Sequence, residues 1–181
     1  MLSPGVELID VVGPSGNPLR IIAPRTEVHR KGLWHRTVHI WVLNGKKELL
    51  LQKRSWSKES FPGLWDISAA GHISAGDTSK RAALRELEEE LGIPAREDEL
   101  VFLFTIKGHY EDPSRPFIDN EFSDVYLMRA DIPINKVKVD RNEVDEVKYM
   151  AVEELKKELE VHPGLYVPHH EAYGKLFAFL K

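Results

Sequence analysis

Three carboxylates stand close together in the run RELEEELG, at Glu86, Glu89 and Glu90. If the chain is helical from about Thr78 to Leu91, at about 3.6 residues per turn, these three fall at i, i+3 and i+4 and share one arc. Like charges gathered on one arc repel and raise their own pKa values unless a cation sits among them. Hard divalent ions such as Mg²⁺ take oxygen ligands of this kind. The spacing therefore predicts metal chemistry, against the plainer reading of a solvated charge run. Arg85 is placed to orient a neighbouring carboxylate by bidentate hydrogen bonds, and Glu88 falls on the other flank.

The same helix carries an apolar stripe, Ala83, Leu84, Leu87 and Leu91, which requires a core to pack against. Asp77 or Thr78 can cap its start and Gly92 can end it. Ahead of it, VELIDVV and LRIIA, joined by GPSGNP, read as an N-terminal β-hairpin within residues 1–27. A second pair of strands is expected at Arg36–Leu43 and in ELLLQKR, separated by Asn44-Gly45. SWSKESFPGLW is irregular, and DISAAG is a short strand leading into the acidic helix. Beyond it, LVFLFTI and EFSDVYLM are strands, and the turn formers in GHYEDPSRPFIDN predict a loop between them. A further strand ends near Met150; AVEELKKELE and EAYGKLFAFL are amphipathic helices, the latter despite Gly174.

The 181 residues suffice for one filled core and are read as a single domain, 1–181. A net charge of −4 argues against a nucleic-acid polymer as partner. The absence of cysteine excludes disulfides, thiolate metal sites and a cysteine nucleophile. No apolar run approaches the roughly 20 residues of a membrane span, and no secretory signature opens the chain, so neither a membrane nor an export route is expected and a cytoplasmic location follows. Oligomeric state is not legible.

From Gly71 to Ile93 the stretch GHISAGDTSKRAALRELEEELGI resembles the Nudix box: Gly71 opens it, and Arg85, Glu86, Leu87, Glu89, Glu90, Gly92 and Ile93 fill its closing block. Asp77 departs from the pattern, standing where a glutamate is usual. The resemblance implies an α/β fold, a Nudix α/β/α sandwich with a central mixed sheet. It also implies Mg²⁺ or Mn²⁺ as cofactor and hydrolysis of a small-molecule diphosphate. By the same resemblance Glu86 and Glu90 are the principal metal ligands, Glu89 is a ligand or proton acceptor, Arg85 orients, and the Gly71 carbonyl contributes. A later carboxylate, Glu143 in preference to Glu146, is implied as base or further ligand.

A second likeness, carried by LLLQKRSWSKESFPGLWDISAAGH and IDNEF, is to type I isopentenyl-diphosphate isomerases. It implies a second metal site of His29, His35, His72, Asp119 and Glu121, with the His29–His35 spacing one residue short. It further implies a catalytic part for Glu121 and a diphosphate held by Arg54, Lys58 and His72. Ala70 stands where those isomerases place a catalytic cysteine, and a methyl group takes no part in proton transfer. Hydrolysis is therefore the leading reading, with isomerisation and a noncatalytic diphosphate-binding module as alternatives. GHISAGDTS, NEFSDVYL and LYVPHHEAYGKLF are similar to isomerase-like Nudix hydrolases, including the Nudix domain that plants fuse to a peptidase. Nucleoside diphosphate derivatives and small or isoprenoid diphosphates both remain open as substrates. His39, and Trp34, Trp56 and Trp65, are read as packed, the tryptophans with a pocket wall as the alternative.

Overall fold

A computed structural model describes residues 6–181; the first five residues of the expected 1–27 hairpin lie outside the described residues. The chain opens with β1 (Leu8–Val12) and β2 (Pro18–Pro24), an antiparallel pair, and then α1 (Arg25–Lys31). β3 (Trp34–Leu43), β4 (Glu48–Arg54), β5 (Trp65–Asp66) and β6 (Ala69–His72) follow, leading to α2 (Ser79–Leu91). The second half contains β7 (Leu100–Asp112), β8 (Phe117–Arg129), β9 (Val144–Ala151), α3 (Val152–Val161) and α4 (His170–Phe179).

Strands β3 to β9 form one seven-stranded mixed sheet in the order β5-β4-β3-β8-β7, with β6 on β3 and β9 on β4. β3 and β8 run parallel in register from Trp34↔Asn120 to Leu43↔Arg129; the other pairs are antiparallel. Side chains alternate across a strand, so β3 feeds two cores. Val38, Ile40 and Val42 pack with Ala82, Ala83, Leu87 and Leu91 of α2. Trp41 and Leu43 pack on the opposite face with Leu155 of α3 and Ala172 and Leu176 of α4. Burial of both faces accounts for the continuous apolar run in β3. The result is the expected α/β/α sandwich with its N-terminal hairpin.

Helix α2 begins at Thr78, whose side chain accepts the Arg81 N–H at 3.3 Å, and ends at Gly92, whose φ of 62° suits glycine. Thr78 rather than Asp77 is the cap. Ala82 joins the buried stripe while Leu84 lies at its margin.

Two expectations are corrected. GHYEDPSRPFIDN is not a loop: β7 continues to Asp112 and β8 begins at Phe117, a long hairpin with pairing from Leu100↔Met128 to Asp112↔Phe117. Ladder hydrogen bonds along the whole strand outweigh the local turn preference of its residues. The N-terminal hairpin stops at Pro24, where α1 begins. Gly32, at φ 62°, then closes α1 and turns the chain into β3.

Candidate active site

A cleft of about 930 Å³ opens at the amino-terminal halves of the parallel strands β3 and β8, lined also by β6, α2 and the loop after β4. On one side lie the carboxylates of α2. Gly71 faces Glu86 so closely that a Cβ added there would fall under 3.0 Å from the Glu86 carboxyl group. The absent side chain is the space that carboxyl occupies. Arg85 donates through Nη2 to Glu86 Oε1 at 2.9 Å and to the His72 carbonyl at 2.8 Å. It is thus a strap between α2 and β6, rather than the bidentate clamp expected.

Glu90 is buried, and its Oε2 accepts from Gln52 Nε2 at 2.9 Å and from the Ala70 N–H at 3.2 Å. Lys58 lies 4.0 Å from Glu90 Oε1 and pairs with Glu143. Burial, then the neighbouring Glu90, pushes the Glu86 carboxyl up to about 8. Burial pushes Glu90 up to about 7 despite the opposing Lys58 charge and the Gln52 and Ala70 hydrogen bonds. Two carboxyl groups that resist ionisation beside one another gain most from a divalent cation. Glu89 stands apart: its side chain is 64% exposed, 3.9 Å from Arg85 Nε, and it borders the cleft from solvent. The three box carboxylates therefore do not meet at one point.

The tighter cluster is on the other side. Parallel register sets His35 of β3 opposite Glu121 of β8, with Asp119 two residues earlier on the same face. His72 of β6 pairs opposite Thr37, and α1 brings in the buried His29. The rings of His29, His35 and His72 lie 5.2 Å apart pairwise. His35 Nδ1 lies 3.0 Å from the Leu33 carbonyl and must donate to it, so Nε2 presents a lone pair. That lone pair faces Asp119 Oδ1 at 3.5 Å, and both atoms are buried without a hydrogen-bond partner. Two buried acceptors facing each other fit a cation between them. Burial lowers the His35 and His72 pKa values, keeping both imidazoles in the ligating form. Burial and the adjacent Asp119 hold Glu121 well above the usual carboxylate range. Among the described residues, ligand atoms within 4.8 Å of one another occur in the sets His29/His35/His72 and His35/Asp119/Glu121. The short His29–His35 spacing does no harm because α1 closes tightly at Gly32.

The two halves adjoin through consecutive residues, Gly71 under Glu86 and His72 among the histidines. Both residues of the expected diphosphate-binding pair, Lys58 and Arg54, border the cleft; Arg54 is engaged there by Asp66 at 3.0 Å and the Ser60 carbonyl at 2.9 Å, and Lys58 by Glu143. Glu143 borders the cleft; Glu146 is bound to Lys53 at 2.8 Å and does not. Asp77 accepts the Thr78 N–H at the helix start and stays outside the cleft. Trp34, Trp56 and Trp65 do not line it. Trp34 packs on Phe122, Trp65 lies under Lys148, and Trp56 is 72% exposed. Sequence reasoning missed Gln52, Asp66 and His169. Only α1 left a readable signal, the Glu27/Lys31 pair at i, i+4 between Pro24 and Gly32.

Comparison with known proteins agrees with this fold. The NUDIX domain profile matches residues 33–170. Nudix hydrolase 3 of Arabidopsis thaliana is 44% identical over 180 residues, 97% of this chain, which spans only 23% of that relative's length. An isopentenyl-diphosphate Delta-isomerase of Cereibacter sphaeroides is 32% identical over 152 residues, 82% of this chain and 81% of its own. In fold, the Deinococcus radiodurans protein DR0079 is similar with a TM-score of 0.65 at 23% identity, covering 86% of this chain and 90% of that one. The NUDIX domain of Shewanella oneidensis NrtR, complexed with ADP ribose, gives 0.60 at 18% identity, covering 81% and 88%. With the profile spanning most of its length, the chain belongs to the Nudix hydrolase family.

Proposed function

We propose that the chain hydrolyses a diphosphate linked to another moiety, with Mg²⁺ or Mn²⁺ held by Glu86 and Glu90 and completed by the Gly71 carbonyl. The observation that carries this reading is the Glu86/Glu90 pair, the partly buried Glu86 cradled by Gly71 and the buried Glu90 anchored by Gln52 and Ala70, beside Lys58. Held by these residues, a divalent ion would supply positive charge against the diphosphate and a lowered pKa for the attacking water. Lys58 adds positive charge where the anionic substrate enters, and Arg85 keeps Glu86 in place. Glu89, exposed at the cleft margin, accepts the proton as water oxygen bonds to phosphorus and the bridging P–O bond breaks. The products are a monophosphate of the linked moiety and phosphate, or two phosphorylated fragments. His29, His35, His72, Asp119 and Glu121 are assigned a second divalent site adjoining the first.

The isomerase-named relative supports a second reading, double-bond migration in isopentenyl diphosphate. It is disfavoured because Ala70, in the cleft wall, offers no proton-transfer group and the chain has no cysteine. The test is incubation with Mg²⁺ and a panel of diphosphates, including ADP ribose, the ligand of one structural neighbour, followed by mass spectrometry. Monophosphate from the native chain but not from Glu90→Gln supports hydrolysis. An isomerised but intact diphosphate supports the second reading, and tight binding without turnover refutes both.

A further inference from the structure

In the cleft, outside both proposed metal-ligand sets but next to one of them, lies a polar group that diphosphate hydrolysis does not use. Asp66 is 3% exposed, and its Oδ1 lies 2.8 Å from His169 Nε2 and accepts the Ile67 N–H at 2.8 Å; Oδ2 takes Arg54 Nη1 at 3.0 Å. Burial opposes the Asp66 charge, but the His169 and Arg54 interactions outweigh it and hold the carboxyl well below its usual range. An ionised carboxylate only accepts, so His169 Nε2 carries the proton. The imidazole is supported on its other side by His39, whose ring lies 4.8 Å away nearly edge-on and which burial keeps neutral, its pKa pushed down to about 3. The backbone is pinned as well, since Val167 donates its N–H to the Trp65 carbonyl at 2.9 Å.

This dyad stands beside the hydrolytic carboxylates. Gln52, the donor to Glu90, pairs opposite Asp66, and Ala70, the other donor, pairs opposite His39. His169, Asp66 and His39 all border the cleft. Among the described residues His169 Nδ1 has no hydrogen-bond partner and it keeps some accessible surface, on a residue that borders the cleft.

We infer that His169, oriented by Asp66, is a specificity-determining residue whose Nδ1 hydrogen-bonds a hydroxyl of the moiety attached to the diphosphate, so that hydroxyl-bearing diphosphates are preferred over isoprenoid ones. A hydroxyl serves whether Nδ1 accepts or donates, and a hydrocarbon chain can do neither. A buried polar wall left unmatched by a hydrocarbon discriminates more strongly than apolar contacts do. The inference rests on the proposed diphosphate site for placing the ligand.

The test separates it from that proposal. Methylene-bridged analogues of ADP-ribose and of isopentenyl diphosphate, which resist hydrolysis, are titrated with Mg²⁺ into the native chain, His169→Gln and His169→Phe. Glutamine retains an N–H at the Nε2 position and hence the Asp66 bond, but presents nothing at Nδ1; its melting temperature checks that the clamp survives. Both variants are expected to weaken the ADP-ribose analogue about tenfold, the range of one hydrogen bond, and to leave the isopentenyl analogue within about twofold. Restoration of ADP-ribose binding by glutamine would make His169 a structural clamp and overturn the inference. So would equal effects on both ligands, or failure of the ADP-ribose analogue to bind the native chain. Turnover of the parent compounds, assayed in parallel, decides the hydrolase reading independently of these ratios.

Discussion

Replacing Gly71 by alanine separates stability from function in a way the site geometry specifies. Gly71 has no positive φ, so β6 accepts a Cβ without backbone strain, and the change removes unfolded-chain freedom worth about 0.4–1 kcal/mol. The three atoms nearest to the new methyl group are all at the end of the Glu86 side chain, the carboxyl carbon and both oxygens at under 3.0 Å. A flexible terminus yields easily, so the fold should keep its melting temperature. To regain ordinary contact the carboxyl must retreat by more than about 1 Å, which loosens its 2.9 Å bond to Arg85 and misplaces a proposed metal ligand. A displacement of that size at a reacting centre reduces rate by about 10²-fold. The assay is phosphate release under Mg²⁺ titration, with Mn²⁺ binding followed by electron paramagnetic resonance. The expected result is an unchanged melting temperature, weaker Mn²⁺ binding and kcat/KM lower by about two orders of magnitude. Native activity at native Mg²⁺ demand in Gly71→Ala would refute the assignment of Glu86.

Other outcomes follow from the same site. Glu86 and Glu90 have folded pKa values raised to about 8 and about 7, so between pH 6.5 and 8 the folded state binds more protons than the unfolded one. Stability without divalent ions should therefore fall as pH rises through that window, most cleanly above about pH 7, where the unfolded-state protonation of His35 and His72 that offsets the fall is nearly lost; Glu86→Gln should flatten the fall, as thermal melts in chelator would report. Mg²⁺ binding at pH 7 should release protons, read by calorimetry in buffers of different ionisation enthalpy; no buffer dependence would argue against carboxyl ligands. His35→Asn should abolish the Co²⁺ absorption bands of the histidine cluster while leaving the Mg²⁺ dependence of hydrolysis in place; retained bands would remove His35 from that site. Leu87→Ala, emptying the α2 core contact, should lower unfolding free energy by about 2–5 kcal/mol in urea titrations.

The parts legible in the sequence were those encoded over a few residues. Helix α2 announced itself by its stripe, its Thr78 start and its Gly92 stop, and Glu86 and Glu90 came with it. The histidine cluster was reached through resemblance alone, since His29, His35, His72 and Asp119 meet only after β3 pairs with β6 and β8. The Asp66–His169 contact was out of reach because 103 residues separate its partners and neither lies in a spaced motif. Glu89 shows the opposite limit: its helical position was read correctly, but its side-chain direction depends on solvent and Arg85, which periodicity does not encode. The β7–β8 hairpin was hidden by turn-forming residues whose preferences yield to cross-strand pairing.

The most direct measurement of the central claim is hydrolysis in ¹⁸O-labelled water with Mg²⁺, followed by phosphorus NMR for the native chain and Glu90→Gln. The account expects label in a phosphate product, dependence on the divalent ion, and loss of at least about 10²-fold in the variant. Unlabelled products, or labelled product formed equally by Glu90→Gln, would contradict it.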